Sequence, residues 1–297
     1  MILACFNILH YKAHEETINC VDSLLKLDGI EKCVIIIYDN GSKDGSDKIL
    51  REKYAGIKNV KVCVNPDADG FSRGNNKAYK IARMMNPLFI IALNNDIVIK
   101  QKNFLTELVK LRNEDEYHMI GPDIYAPTVA EHQSPLYPEY PSIDVVEKDM
   151  EKVRERLANL DEGAEWEKNR LEKNKIKKYL PNFAISMIRT VTGNKKSDDY
   201  KKEWLNPVFS GSCVIVTDLF IKDNEVLFDP ETRFYFEELI MAERCRREGY
   251  KTIYSPKVKI LHMHGVATTK SFDDMKEYAR FKYTNMLESY EIYRNQL

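Results

Sequence analysis

Two amides and a carboxylate, Asn94-Asn95-Asp96, follow an apolar run, Phe89-Ile90-Ile91-Ala92-Leu93, and the chain turns apolar again at Ile97-Val98-Ile99. An unbroken apolar run between turn residues reads as a strand buried on both faces. A carboxylate at its C-terminal end stands where open α/β sheets bind ligands, and it can hold Mg²⁺ or Mn²⁺ against a diphosphate. Alone, the tripeptide is an ordinary strand-ending turn. Further side chains able to do chemistry cluster at Asp39-Asn40-Gly41-Ser42, at Gly70-Phe71-Ser72-Arg73-Gly74-Asn75-Asn76, at Glu237-Glu238 and at His262. A carboxylate can serve as general base, although acids at a helix start also suit the helix dipole. Neighbouring helix residues point roughly 100° apart, so only one of Glu237 and Glu238 should face a cleft. His262 suits a satisfied core position, and His264 reads as structural or exposed.

Elements must position these groups. The patterning predicts strands over 2–9, 34–38, 60–64 and 88–93, near 118–121, over 208–216, and as two short pieces near 251–254 and 258–261. Helices are expected over 15–27, near 46–54 and over 102–112. Another should follow a polar loop at 65–76, capped by Asn75 or Asn76, with Ala78, Ile81, Ala82 and Met85 on one face. The stretch from Phe234 should lead a helix to Glu248, stopped by Gly249, and a last helix should begin near Asp273. Strand–helix alternation implies a mostly parallel sheet with right-handed crossovers. The polar loops leave strand C-termini and should converge on one cleft.

The alternation breaks from about 123 to 205. Prolines at 127, 135, 138 and 141 mark irregular chain. Residues 144–167 are helical in composition, with 9 acids and 4 bases, and residues 168–202 hold 11 Lys/Arg against 3 Asp/Glu, 11 − 3 = +8. Pro181 could open a short helix there with Phe183, Ala184, Met187, Ile188 and Val191 on one face.

At 297 residues the chain suits one large domain or two modest ones, and 43% hydrophobic with 31% charged residues allow a packed core and a charged surface. A net charge of −1 argues against a nucleic-acid partner. Cys5, Cys20, Cys33, Cys63, Cys213 and Cys245 contain no C-x-x-C spacing and mostly sit in apolar runs, the pattern of reduced core residues in a cytoplasmic protein. No run approaches the roughly 20 apolar residues of a bilayer span, and the apolar N-terminus lacks a basic lead, so it reads as a first strand.

The motifs Asp39-Asn40-Gly41-Ser42, Gly70 to Asn76, Leu93-Asn94-Asn95-Asp96, Phe236-Glu237-Glu238 and His262-x-x-Gly265 resemble, in that order, those of family 2 glycosyltransferases. The chain is most similar to their rhamnosyltransferase-like branch over 1–125 and 206–290. The resemblance implies an inverting enzyme of the GT-A fold, an α/β class with a Rossmann-like sheet, here carrying a helical insertion. It divides the chain into a nucleotide-sugar-binding half (1–125), a charged helical insertion (126–205) and an acceptor and catalytic half with a C-terminal helix (206–297). It implies that Tyr11 and Asp39 meet the base, that Gly70, Arg73, Asn95 and Gly211 line the nucleotide-sugar site, and that Asp96 and His262 ligate Mg²⁺ or Mn²⁺. Glu238 falls where the family has its catalytic base, usually an Asp one methylene shorter, with Glu237 beside it. The family often has a carboxylate at Asn95; an amide there can hydrogen-bond the ribose but carries less charge.

The chemistry agrees with the resemblance. Sugar transfer needs charge stabilisation on the leaving diphosphate, a carboxylate to take the acceptor proton and a base-binding pocket after the first strands. The expected donor is dTDP-rhamnose or a UDP-sugar, and the acceptor a glycan or lipid-linked glycan in cell-surface polysaccharide synthesis. A nucleotidyltransferase or a non-catalytic nucleotide-sugar or glycan binder are the rival classes; the former would want a basic glycine-rich loop near the N-terminus. The basic stretch beside an apolar helix face has the composition of a peripheral anchor on an anionic membrane, here the inner face. The same face could instead cover the core or a second subunit.

Overall fold

The computed structural model describes residues 2–179, 198–263, 272 and 274–297, with the backbone alone over 174–179. Strands β1 (Ala4–His10), β2 (Cys33–Asn40), β3 (Val60–Asn65) and β4 (Phe89–Asn94) pair in parallel in the order β3-β2-β1-β4. β9 (Cys213–Thr217) runs antiparallel to β4 and to β6 (Met119–Ala126). β6 is parallel to β10 (Thr252–His262), and β5 (Ile97–Val98) closes the edge against β10. The short pairs β7 (Glu131–His132) on β6 and β8 (Trp204–Leu205) on β10 complete the sheet.

Two apolar clusters explain the all-apolar strands. On one face Phe6, Ile8, Ile35, Ile37, Phe89 and Ile91 pack under α1 (His14–Leu24), α2 (Ser46–Tyr54) and α4 (Phe104–Glu114). On the other, Cys5, Ile36, Ile90 and Val214 pack under α3 (Phe71–Arg83), α7 (Asp218–Asp223) and α8 (Glu237–Arg247). A strand buried on both faces has no polar position to alternate, which is why period two is missing from the sequence. The third cluster joins α5 (Ile143–Ala158), α6 (Leu160–Tyr179) and α9 (Met275–Arg294) to the outer side of α8 through Val146, Val153, Leu239, Ile240 and Tyr283. Helix α8 is therefore clamped between sheet and helical layer, with Met241 and Cys245 inward and Leu239 and Ile240 outward.

Several boundaries differ from expectation. Helix α3 begins at Phe71, so the polar stretch through Asn76 is helical and neither Asn75 nor Asn76 is its cap. The physical reason is that these polar side chains bond a neighbouring loop: Asn76 Nδ2 donates to Phe228 O (2.8 Å) and Glu231 Oε1 (2.9 Å), and Ser72 Oγ pairs with Thr232 Oγ1 (3.0 Å). The two strands expected after Gly249 are one, β10, with a register shift between Ser255 and Lys259. The strand expected over 208–216 starts only at Cys213, and α1 ends at Leu24. Within 126–205, β7 pairs with β6 and β8 pairs with β10. The apolar face Phe183 to Val191, His264 and Gly265 lie outside the described residues. All six cysteines are free, five of them buried. Among the described residues no helix is long and apolar enough to cross a membrane.

Candidate active site

The C-terminal ends of β1, β2 and β4 converge, as the alternation requires. His10 at the end of β1 is fully buried, its Nδ1 bonded to Thr17 Oγ1 (2.7 Å) and its Nε2 to Ser46 Oγ (2.8 Å). Thr17 also accepts from Asn95 Nδ2 (3.1 Å), which reaches Ala13 O as well (3.3 Å). One network thus holds the ends of β1 and β4 and the starts of α1 and α2 in register. Asp39 is buried at the end of β2 and accepts from the Ser42 N–H (3.0 Å) and hydroxyl (2.5 Å). Tyr11, half-buried, lies under the Lys12 ammonium at 5.2 Å.

The loop before α3 is pinned twice. Asn40 Nδ2 donates to Gly70 O (2.8 Å), and the Phe71 N–H donates to Arg233 O (2.7 Å). Gly70 has φ +82°, and a Cβ there would sit 2.5 Å from Arg233 O, so only glycine fits. Arg73, with its side chain 65% exposed, pairs with Glu231 (3.0 Å). An exposed pair of this kind contributes about 0–1 kcal/mol, so the guanidinium is readily exchanged to another anion.

Asp96 and His262 come together. His262 Nε2 is 3.2 Å from Asp96 Oδ1, and Gln133 Oε1 bonds the opposite ring nitrogen at 2.7 Å. The ring is thus held between Gln133 and Asp96. An imidazole nitrogen and a carboxylate oxygen at this distance, with an outer carbonyl orienting the ring, are groups that could hold a divalent cation. Among the described residues no three His, Cys, Asp or Glu side chains gather as a complete ligand set. Further ligands would therefore be diphosphate oxygens and water, as Mg²⁺ sites commonly use.

Glu237 and Glu238 open α8 after two residues in the left-handed region, Tyr235 (φ 70°) and Phe236 (φ 67°). Such backbone costs about 1–3 kcal/mol per residue and persists where packing over-determines it. Here Phe236 is wedged against Tyr290 and Tyr293 of α9, at 5.8 and 5.7 Å between ring centres. The two carboxylates bond different partners, but both line the same cleft, against the expectation that only one would face it. Glu237 is 5% exposed and accepts from Thr232 Oγ1 (3.0 Å), while Glu238 is half-buried and accepts from the Gly211 N–H (3.2 Å). Burial pushes both carboxyls above their ordinary range, and the Glu238 charge raises Glu237 further. A cleft of about 580 Å³ is lined by both glutamates together with Asn94, Gly211, Ser212, His132, Gln133 and His262. Gln133 and His132 were missed by sequence reasoning; they lie in a proline-rich stretch that matched no motif, and nothing in their spacing marks them.

A mostly parallel sheet, flanked by helices and with its loops gathered at one cleft, defines the GT-A fold. The chain belongs to glycosyl transferase family 2, whose description matches residues 6–191. No curated protein sequence matches it. Among solved structures, S. aureus TarS 1–349 is similar at 13% identity over 95% of this chain and 70% of its own, with TM-score 0.55. GalNAc-T7 with UDP, GalNAc and Mn²⁺ is similar at 13% identity over 89% of this chain and 44% of its own, with TM-score 0.57. TarS 1–349 in complex with UDP-GlcNAc aligns at 21% identity over 42% of this chain, with TM-score 0.37, and the chain spans only 35% of that protein.

Proposed function

We propose that the chain is an inverting glycosyltransferase that moves a sugar from a nucleotide-diphosphate sugar to a hydroxyl of a glycan or lipid-linked acceptor. The observation that carries this reading is the single cleft lined by Glu238 and by His262, which touches Asp96. Glu238 takes the acceptor proton, the freed oxygen forms a bond to the anomeric carbon, and the bond to the diphosphate breaks on the opposite side. Asp96 and His262 would hold Mg²⁺ or Mn²⁺, which would supply charge stabilisation to the leaving diphosphate. Tyr11 and Asp39 face the base, while Gly70, Arg73, Asn95 and Gly211 shape the nucleotide-sugar site. Family membership and the likeness to GalNAc-T7, solved with UDP, GalNAc and Mn²⁺, support a nucleotide-sugar donor and a divalent metal.

The donor is dTDP-rhamnose or a UDP-sugar, following the rhamnosyltransferase-like motifs, and the product belongs to cell-surface polysaccharide synthesis. The basic stretch 168–202 supports cytoplasmic work with peripheral attachment to an anionic inner membrane face. A thermal-shift screen of UDP-, dTDP- and GDP-sugars with Mn²⁺, followed by turnover of the best binder, tests the reading. Donor binding without transfer or hydrolysis, with or without Mn²⁺, makes the chain a binding protein instead.

A further inference from the structure

His132 lines the same cleft as Glu238 and has no part in the mechanism above. Its Nδ1 is 2.6 Å from Asp123 Oδ1, on a carboxylate only 7% exposed. Its ring stacks on Tyr200 with 3.5 Å between centres and 10° between planes, and Tyr125 packs against it at 5.0 Å. A ring held at one edge by a carboxylate and on a face by an aromatic cannot turn without losing both contacts. The carboxylate accepts, so Nδ1 carries a proton and Nε2 is the ring atom left to meet a ligand.

That Nε2 has no hydrogen-bond partner among the described residues, and it is not sealed from solvent. His10 is the contrast: fully buried, with both ring nitrogens bonded, it is what a structural histidine looks like. A ring nitrogen fixed in direction and left open in a cleft is complementary to a hydrogen-bonding group on the ligand, and a sugar hydroxyl can both donate and accept.

We infer that His132, oriented by Asp123, binds a sugar hydroxyl through Nε2. This rests on the glycosyltransferase reading. The hydroxyl belongs either to the transferred sugar or to the acceptor, and the experiment separates the two. The donor arm measures, by calorimetry on the full chain with Mn²⁺, the affinity of UDP-N-acetylglucosamine and dTDP-rhamnose against UDP and dTDP alone. The acceptor arm measures KM across a panel of short glycans at saturating donor.

His132→Ala should weaken one arm roughly fivefold to tenfold, the effect of one lost hydrogen bond, while UDP and dTDP alone bind as before. His132→Gln, whose side-chain oxygen reaches toward the Nε2 position, should recover part of the loss, and Asp123→Asn should lower the same arm by less. A loss confined to the donor arm assigns the hydroxyl to the transferred sugar; a loss confined to the acceptor arm assigns it to the acceptor. Wild-type behaviour of His132→Ala in both arms, or an equal loss for UDP and dTDP alone, overturns the inference while the transferase reading stands. A wild-type protein that binds no sugar nucleotide overturns the transferase reading and this inference with it. Should His132→Ala fail to fold, His132→Gln and Asp123→Asn decide between the same outcomes.

Discussion

Asp96 and His262 touch, Oδ1 to Nε2 at 3.2 Å, where the backbone itself holds their two segments together. The Met263 N–H donates to Asp96 O (2.9 Å), and His262 pairs with Ile97 in the ladder between β10 and β5. Asp96→Ala should therefore keep the fold, with a melting temperature within a few degrees of wild type. It should abolish the Mn²⁺-dependent gain in nucleotide-sugar affinity. Calorimetry with and without Mn²⁺ checks this, and an unchanged metal dependence removes Asp96 from the ligand set.

The two glutamates are separated by role. Glu238→Gln preserves shape and the bond from the Gly211 N–H but cannot take a proton, so donor affinity should persist while transfer falls roughly 10²-fold or more. Glu237 bonds Thr232, which is tied to Ser72 of α3, so Glu237→Gln should act mainly on stability. If Glu237→Gln is the inactive variant, the base is one residue earlier than proposed. Steady-state kinetics on both variants decides.

The sheet was legible in the sequence because β1, β2 and β4 are apolar on both faces and end in polar loops. Asp96 and Glu238 were legible as carboxylates at element ends. The early start of α3 was not, because its polar residues look like loop until the 228–233 segment they bond is known to lie beside them. Likewise Gln133 and His132 reach the cleft only through β7 pairing with β6, a long-range contact with no local pattern. The joining of α5, α6 and α9 to α8 is a tertiary fact too. Their apolar periodicity says that they pack, not against what.

Stability should depend on pH through Glu237. Burial and the neighbouring Glu238 charge raise its pKa above the ordinary 4.5. Between the unfolded and the folded values the folded chain binds more protons than the unfolded chain, so stability falls as pH rises through that window. Urea unfolding between about pH 5 and pH 8 should show this decline, and Glu237→Gln should flatten it. Activity runs the opposite way: Glu238, also raised by burial, must be ionised to accept a proton, so kcat should climb at pH values above the usual carboxylate range. A kcat profile flat from acid to neutral pH would contradict this role.

The helical layer hangs on one buried carboxylate. Glu167 on α6 is fully buried and meets Lys282 (2.6 Å), the Tyr283 hydroxyl (3.1 Å) and Arg170 (2.8 Å). Burial pushes its carboxyl up, but Lys282 and Arg170 outweigh that and hold it below the ordinary value. Glu167→Ala leaves the Lys282 ammonium, 14% exposed, without its carboxylate. The loss should be about 3–5 kcal/mol, the usual cost of removing one partner of a buried pair. Urea denaturation measures it, and a change under ~1 kcal/mol means that water reaches the pair.

Gly211 makes room for the longer glutamate. An alanine Cβ at 211 would lie 2.8 Å from Glu238 Oε1 and 3.2 Å from its Cδ, so the carboxylate must move away from the Gly211 N–H it now accepts from. The displaced group is the end of a flexible side chain, so Gly211→Ala should cost only about 1 kcal/mol of stability, at the low end for overpacking. The base proposed at Glu238 is thereby misplaced, and a misplacement near 1 Å can cost as much as 10²-fold in rate, so kcat should fall by about tenfold or more while donor affinity holds. The two positions should also be coupled. Glu238→Asp shortens the side chain by one methylene and withdraws the carboxylate from the space an alanine would take. Gly211→Ala combined with Glu238→Asp should thus be more active than the product of the two single effects predicts. A double-mutant cycle on kcat measures this, and strict additivity would show that Gly211 does not set the position of Glu238.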